Sequence, residues 1–296
     1  MNAPLSFENL LEGRTYSQLI NRFDHETRTL WSYMNPSGRT CFNRDLLQDL
    51  EDFGDTLQLN RGKYLTEGNV VTVDFVVLAS NVPGIFNLGG DLATFSQEIQ
   101  SGDKDALERY AHLCIDIIWN RLNHYDAPIT TISLIQGKAL GGGLEVALTA
   151  DVVIAEEGST IGLPEILFNL FPGMGALSLL SRKIGMRQAE EIVLSGKMYS
   201  AEELYERGVV DVIAAKDAGP QAVDAWIKQN SRRRIGYCAV QRSKQRIMPI
   251  SYDELIGITD IWVDSAMQLN ERDLRMMGRL VQAQNRIVAH APLKLS

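Results

Sequence analysis

Two glutamates, together with the turns that precede them, are the residues of this chain best suited to chemistry. Glu145 ends the segment ALGGGLE at residues 139–145, and Glu165 ends the segment GLPE at residues 162–165. Both stand in apolar surroundings, where burial raises the pKa of a carboxyl group toward the neutral range. Two such carboxyls that face one substrate can act as base and acid, so the pair predicts proton-transfer chemistry.

A second glycine turn, FNLGGDL at residues 86–92, stands between a predicted strand and a predicted helix. Glycine lets a backbone approach a ligand closely, because no Cβ intervenes. Where a turn leads into a helix, its N–H groups and the helix dipole also favour developing negative charge. One glycine turn alone is more often only a tight turn. Two turns and two carboxyls in this order are what enolate chemistry on a thioester requires.

No other set of side chains in the sequence has the pattern of a catalytic or cofactor site. There is no Gly-x-Ser-x-Gly motif, no phosphate-binding loop and no dinucleotide fingerprint. The cysteines lack metal or redox spacing and are interpreted as reduced thiols; they are Cys41, Cys114 and Cys238. The histidines lie near no nucleophile motif and are interpreted as solvated or structural; they are His25, His112, His124 and His290. Four further glutamates are interpreted as solvated: Glu156, Glu157, Glu190 and Glu191. We therefore expect no metal site.

Composition and charge limit the classes of protein to consider. The chain has 296 residues, of which 45% are hydrophobic and 22% charged, as in globular proteins with a sizeable core. A net charge of −8 argues against general nucleic-acid binding, because no basic excess neutralises phosphates. No apolar run approaches the ~20 residues that cross a bilayer, and residues 1–8 do not resemble a signal peptide. We expect a cytoplasmic protein that binds neither membrane nor nucleic acid.

The order of predicted elements is that of a mixed α/β protein. Apolar runs at residues 70–79, 130–135 and 151–155 predict buried strands. Residues 43–53 and 103–122 have the apolar spacing of amphipathic helices. Strands that alternate with helices favour parallel pairing through crossover connections.

The remaining segments are assigned from local signals. The polar residues 58–69 predict a loop, and residues 19–34 are expected to include an edge strand. From residue 175 onward the periodicity is helical, apart from a short strand candidate at residues 210–214. Ser251 carries a capping signal that predicts the start of one of these helices.

With these turns and carboxyls, residues 35–285 resemble the crotonase (enoyl-CoA hydratase/isomerase) superfamily. The resemblance implies an α/β fold, a spiral of ββα units with a helical C-terminal region. It divides the chain into an N-terminal extension (1–34), a core with the active site (35–215) and a helical region (216–296). The helical region is expected to wall the acyl pocket or to join subunits.

The same resemblance assigns roles to four residues. It implies that the amides of Gly90 and Gly142 form an oxyanion hole, and that Glu145 and Glu165 transfer protons. Retention of both glutamates favours addition or elimination of water beside a thioester carbonyl. No cofactor is implied beyond the coenzyme A or acyl carrier protein that bears the acyl group. The implied assembly is a homotrimer or hexamer.

Three segments resemble the diffusible signal factor synthases within that superfamily. They are residues 86–92, LFNLFPGMG at residues 167–175 and ITDIWVDSAMQL at residues 258–269. The resemblance implies dehydration of a 3-hydroxyacyl thioester on acyl carrier protein to the cis-2-enoyl thioester, followed by hydrolysis. The product would be a cis-2-unsaturated fatty acid used in quorum sensing. A sensor-kinase partner is also implied, because synthases of this kind can be held by one.

Seven residues are expected to contact the acyl thioester: Leu88, Gly89, Leu140, Gly141, Met174, Trp262 and Leu280. For the last three, simple core packing is an equal alternative. The segment RTCFN at residues 39–43 stands where related hydratases carry a coenzyme A-binding segment, and this difference favours a carrier-protein substrate. Two other functions stay open, an ordinary enoyl-CoA hydratase of fatty-acid degradation and a non-catalytic regulatory partner with the same fold.

Overall fold

The computed structural model describes residues 16–289, so residues 1–15 of the predicted N-terminal extension and His290 lie outside the described part. The strands are β1 (Leu19–Asp24), β2 (Thr29–Met34), β3 (Lys63–Thr66), β4 (Asn69–Thr72), β5 (Phe75–Ser80), β6 (Ile85–Asn87), β7 (Thr130–Ile135), β8 (Lys138–Leu140), β9 (Val152–Glu156), β10 (Thr160–Gly162), β11 (Met198–Ser200) and β12 (Val212–Ala214). The helices are α1 (Arg44–Leu59), α2 (Leu92–Ser101), α3 (Lys104–Leu122), α4 (Gly142–Leu148), α5 (Ala176–Ile184), α6 (Met186–Ser195), α7 (Ala201–Glu206), α8 (Gly219–Ser231), α9 (Arg234–Ile247), α10 (Tyr252–Ala266) and α11 (Glu271–Ala289).

Two sheets carry most of the strands. The larger sheet has the order β1-β2-β5-β7-β9-β12, and all its neighbours are parallel except the β1–β2 hairpin. The smaller sheet has the order β11-β10-β8-β6, with parallel pairing among β6, β8 and β10. This arrangement confirms the predicted α/β class, and helices α8 to α11 confirm the predicted helical C-terminal region.

The chain passes from the larger sheet to the smaller one three times, and each passage ends in a turn and a helix. The three passages are β5 to β6, β7 to β8 and β9 to β10, followed respectively by α2, by α4 and by a 3₁₀ helix at Glu165–Phe168. These are the predicted ββα units. Because β6, β8 and β10 are parallel neighbours, their C-terminal ends lie at one edge of the smaller sheet. The segments that carry the glycine turns and the glutamates therefore meet there.

The core forms where the predicted apolar runs are buried on both faces. Every residue of β5 and of β7 is buried, as in a parallel sheet covered by helices on both sides. Helix α3 packs against α1 and against α10. Among residues 16–289 no helix combines the length and the apolar character needed to cross a membrane.

The predicted loop at residues 58–69 is wrong in its second half, where β3 and β4 form a hairpin. Glu67 and Gly68 turn the chain with φ values of 50° and 72°, the left-handed geometry of a two-residue hairpin. The predicted strand at residues 70–79 is accordingly two strands. Its start belongs to the largely exposed β4, and only the part from Phe75 onward is buried in the larger sheet.

The segment 19–34 contains the expected edge strand, β1, and also a second strand inside the sheet. Strand β2 pairs in parallel with β5, so this part of the predicted extension belongs to the central sheet. The strand predicted at residues 130–135 and the helix predicted at residues 103–122 are confirmed. The Oγ of Ser251 accepts a hydrogen bond from the Glu254 amide at 3.0 Å, which confirms the helix start there.

Glu156 was wrongly expected to be solvated. It is the last residue of β9 and is only 5% exposed. Its Oε1 accepts hydrogen bonds from Gln136 Nε2 and from the Gly219 amide, both at 2.8 Å. The amide belongs to the N-terminus of α8, where a carboxylate is stabilised by free N–H groups and by the helix dipole. Glu157, Glu190 and Glu191 are exposed as predicted.

Candidate active site

Neighbouring hydrogen bonds fix the first glycine turn up to the predicted oxyanion donor. The Leu88 amide donates to Thr40 O at 2.9 Å, and the Gly89 amide donates to the side-chain Oδ1 of Asn87 at 2.8 Å. In residues 16–289 the amide of Gly90 donates to no protein acceptor. The turn therefore offers that N–H to a ligand.

The residues after Gly90 are held equally firmly. The Asp91 amide donates to the hydroxyl of Tyr110 at 3.2 Å, and that hydroxyl donates in turn to Phe42 O. The Leu92 amide donates to Gly90 O at 3.0 Å. Tyr110 is 4% exposed, so both bonds are shielded from water and hold the far side of the turn against the segment 39–43.

The second turn presents its amide through a helix start. Gly142 is the first residue of α4, and no carbonyl one helical turn earlier is available to its N–H. Gly141 has φ 52° and ψ −124°, a conformation that glycine adopts without a Cβ clash. A Cβ on Gly142 would lie 2.6 Å from Met174 Sδ, so this position also admits only glycine without repacking.

The two turns are in direct contact. A Cβ on Gly89 (φ 92°) would lie 2.8 Å from Leu140 O and 3.2 Å from the nitrogen of Gly142. A Cβ on Gly143 would collide with Asn87 O. The glycines thus let the backbones of the two turns lie in direct contact.

Glu145 is buried and anchored by backbone amides. It stands in the first turn of α4 and is 1% exposed. Its Oε1 accepts hydrogen bonds from the amides of Met174 at 2.7 Å and of Ala176 at 3.0 Å. Burial raises the pKa of Glu145 to about 7, and the two amide bonds oppose that rise because they stabilise the charged form.

Glu165 reaches the same place from the third ββα unit, without such an anchor. The residue is half-buried, but its Oε2 is fully buried and has no hydrogen-bond partner within residues 16–289. Its Oε1 would collide with a Cβ on Gly141, so it packs directly against that glycine. Burial, and then the negative charge of Glu145, raise the pKa of Glu165 to about 8. The two amide bonds to Glu145 favour its charged form, and Glu165 Oε2 has no such bond within residues 16–289.

Both carboxyls line one small, mostly apolar cavity of about 40 Å³. Its lining residues are Leu92, Phe95, Tyr110, Ala111, Cys114, Glu145, Glu165, Phe168, Leu170, Gly173, Met174 and Trp262. A water molecule needs about 10–15 Å³ of such volume, so the cavity has room for water and not for an acyl chain. Binding of an acyl group requires its apolar walls to move.

The predicted substrate-contacting residues divide between the cavity and its surroundings. Met174 and Trp262 line the cavity beside the glutamates. Leu280 does not: it is half-buried on α11 and packs on the core, because the wall at this point is built by α3 and α10. Leu88, Gly89, Leu140 and Gly141 lie in the two turns, outside the cavity lining.

Three residues that hold the site were not singled out from the sequence. Tyr110 appeared only as part of the apolar stripe of α3, although a buried tyrosine usually needs a partner for its hydroxyl. Asn87 directly precedes Leu88 and the glycines, which is a local signal for a side chain that bonds its own turn. Gln284 donates to Leu88 O at 3.0 Å from far along the chain, and no local pattern reveals it.

Outside the cavity, three side chains on α3 and α10 form a cluster whose atoms could bind a metal ion. Glu108, His112 and Asp260 each place one ligand atom within 4.8 Å of the others. His112 Nε2 and Asp260 Oδ1 are hydrogen-bonded at 2.8 Å, and Asp260 is exposed. This pairing agrees with the structural interpretation of His112 and does not by itself indicate a metal.

Comparisons with known proteins agree with this geometry. The enoyl-CoA hydratase/isomerase family model matches residues 67–232, so the chain belongs to that family. A probable mitochondrial enoyl-CoA hydratase 2 of Arabidopsis thaliana is 28% identical over 213 residues, which are 72% of this chain and 64% of that protein.

Solved structures of the same fold extend over nearly the whole chain. Pseudomonas aeruginosa DspI has a TM-score of 0.67 at 20% identity and covers 92% of this chain, which in turn covers 91% of DspI. An enoyl-CoA hydratase from Bacillus halodurans has a TM-score of 0.72 at 19% identity, over 89% of this chain and 100% of that one. The crotonase-type fold predicted from the sequence is confirmed.

The raised pKa of Glu165 makes a prediction for stability. In the folded chain the Glu165 carboxyl keeps its proton up to about pH 8. In the unfolded chain the same carboxyl has its ordinary pKa of 4.5. The free energy of unfolding should therefore fall as pH rises between these values, because the unfolded state binds fewer protons. Glu165→Gln, which carries no charge, should be more stable than wild type at about pH 9 and not at about pH 4.

Urea unfolding at several pH values measures this difference. Glu190→Gln, at an exposed position on α6, is the matched control and should follow wild type at every pH. Unfolding curves of Glu165→Gln that stay parallel to wild type across the pH range would show that Glu165 is not buried with a raised pKa.

Proposed function

We propose that this protein dehydrates a 3-hydroxyacyl thioester to the 2-enoyl thioester and then hydrolyses the thioester. The observation that carries the proposal is a pair of carboxyls in one cavity beside two glycine turns: Glu145, which accepts two backbone amides, and Glu165, whose buried Oε2 has no partner within residues 16–289. Elimination of water needs one ionised and one protonated carboxyl. A proton leaves C2 while another joins the departing hydroxyl.

In the dehydration step, the ionised carboxylate removes the C2 proton, and the electron pair moves toward the thioester carbonyl to give an enolate. The amides of Gly90 and Gly142 stabilise the negative oxygen; loss of one such donor typically costs about 10²–10³ in rate. The enolate collapses and the C3–O bond breaks. The hydroxyl takes the proton of the second carboxyl and leaves as water, so the pair keeps one proton in total.

In the hydrolytic step, a carboxylate accepts a proton from water as the water attacks the thioester carbonyl. The tetrahedral oxyanion accepts hydrogen bonds from the same two amides that stabilised the enolate. Its collapse breaks the C–S bond, and the sulfur leaves as the thiol after taking up that proton. The products are a free 2-enoic acid and the carrier thiol, and the carboxylate is restored.

We infer that the product is a cis-2-unsaturated fatty acid signal of the diffusible signal factor type. All three segments that resemble the synthases of such signals contribute cavity walls: Leu92 from residues 86–92, Met174 from residues 167–175 and Trp262 from residues 258–269. We infer an acyl carrier protein as the carrier. The segment that replaces the coenzyme A-binding one uses Arg39 to pair with Asp91 Oδ1 at 2.5 Å.

An ordinary enoyl-CoA hydratase is the second candidate. The names of the matched relatives and the presence of both glutamates support it, and the same carboxyls would add water to an enoyl-CoA. A purely regulatory role is disfavoured, because Glu145, Glu165, Gly90 and Gly142 are assembled in one site. A homotrimer or hexamer, a sensor-kinase partner and a cytoplasmic location remain part of this proposal.

Mass spectrometry of the products distinguishes these candidates. The purified protein is mixed with a medium-chain 3-hydroxyacyl carrier protein, and in parallel with crotonyl-CoA. Release of the free cis-2-enoic acid from the first substrate, with little hydration of the second, is the expected result. Fast hydration of crotonyl-CoA without acid release would replace the proposal by the hydratase. Inactivity on both substrates would favour the regulatory role.

Substitution of each glutamate tests the two-carboxyl mechanism. Glu145→Gln and Glu165→Gln should each lower the dehydration rate by about 10²–10⁴, the usual contribution of a positioned acid or base. Circular dichroism should show an intact fold, and Glu190→Gln should retain wild-type activity. If either active-site variant kept most of its dehydration activity, proton transfer by this pair would be ruled out.

The rate of dehydration should depend on pH as a bell-shaped curve. Activity needs one proton on the pair, whose apparent pKa values are about 7 and about 8. Below the lower value both carboxyls are protonated and no base remains; above the higher value both are ionised and no acid remains. Initial rates measured across the neutral range check this, and a rate that rises steadily to high pH would contradict it.

A further inference from the structure

The last helix of the described chain, α11, contacts both parts of the active site. Near its start, Asp273 Oδ2 accepts a hydrogen bond from Asn169 Nδ2 at 3.3 Å. Asn169, with φ 63°, closes the 3₁₀ helix that carries Glu165. Eleven residues later, or roughly 16 Å along the helix at 1.5 Å per residue, Gln284 reaches the oxyanion turn. The helix therefore extends along the site from the segment that carries Glu165 to the turn that carries Gly90.

Gln284 completes the fixation of one particular peptide group. The peptide between Leu88 and Gly89 is held on its N–H side by Asn87 Oδ1 at 2.8 Å. On its C=O side it is held by Gln284 Nε2 at 3.0 Å. Both partners are side chains, and only the glutamine comes from outside the turn.

The next peptide, between Gly89 and Gly90, carries the oxyanion donor. Its C=O accepts a hydrogen bond from the Phe42 amide at 2.8 Å, and its N–H is the free donor of Gly90. The two peptides meet at the Cα of Gly89, whose φ of 92° lies in a region that favours glycine. The single hydrogen bond from Phe42 leaves the second peptide able to tilt about its carbonyl, so the position of the Gly89 Cα, which the first peptide fixes, also sets the direction of the Gly90 N–H.

We propose that Gln284 is a positioning residue for the oxyanion hole, which sets the direction of the Gly90 amide through the carbonyl of Leu88. This inference rests on the proposed acyl-thioester chemistry, and it adds a residue of α11 that touches no reacting atom. Since charge in the transition state is greater than in the bound substrate, a misdirected donor lowers kcat more than it raises KM.

The test compares Gln284→Met with Gln282→Met. Methionine keeps the length and volume of glutamine but donates no hydrogen bond. Gln282 is two residues away on the same helix and is exposed, so it is the matched control. We expect Gln284→Met to lower kcat roughly tenfold with little change in KM, a part of the loss expected for a missing donor. Gln282→Met should match wild type.

A spectroscopic readout separates positioning from a general loss of structure. The probe is a medium-chain acyl-pantetheine amide, labelled with ¹³C at the carbonyl, which the enzyme cannot hydrolyse readily. Donors in the oxyanion hole polarise this carbonyl and lower its infrared stretching frequency. The shift should be full in wild type and in Gln282→Met, and smaller in Gln284→Met at saturating probe. Thermal unfolding of the three proteins verifies that the two variants are folded.

The outcomes are distinct. Equal kcat and equal infrared shifts in all three proteins would overturn the role of Gln284 and leave the proposed function standing. If wild type turned over no acyl thioester but shifted the carbonyl band, the band alone would decide for or against Gln284. If wild type neither turned over a thioester nor shifted the band, the proposed function and this inference would both be wrong.

Discussion

Backbone contact between the two glycine turns is the constraint on which the remainder of the site depends. Gly89 lies against the carbonyl of Leu140, and Gly143 lies against the carbonyl of Asn87. Parallel pairing of β6, β8 and β10 brings the turns to one edge of the smaller sheet. Only the missing Cβ atoms then let their backbones come into contact. The fold brings the turns together, and glycine sets the distance between them.

Hydrogen bonding makes the two carboxyls of the cavity chemically different. Glu145 receives two backbone amides from the segment that leads into α5, and Glu165 receives none at its buried Oε2. The charged form is therefore better supported on Glu145. The cavity around them is small and mostly apolar, which strengthens the interaction of the two carboxyls and keeps their pKa values raised. Hydrogen bonds from the backbone thus favour the charged form of Glu145 over that of Glu165.

The sequence predicted the parts of the site that depend on local patterns. The glycine turns, the apolar strands and the amphipathic α3 could be predicted. Each has a regular spacing or a distinctive composition within a short stretch of sequence. Glu156 was misjudged because its burial depends on the N-terminus of α8, which lies more than sixty residues further on. Core packing was an equal alternative for Leu280, and the sequence could not decide between the two, because an apolar helix position does not show which cavity it faces. Gln284 was not recognised, since its partner is 196 residues away and glutamine is common on helices.

That separation also gives the site an order of assembly in time. At a synthesis rate of roughly 5–20 residues per second, Gln284 leaves the ribosome about 10–40 s after Leu88. In the later part of that interval, once Glu165 has been made, the nascent chain contains both glycine turns and both glutamates, while the carbonyl of Leu88 still lacks its partner. With the role proposed for Gln284, the first glycine turn of a growing chain reaches its final geometry only when α11 has been made and has docked.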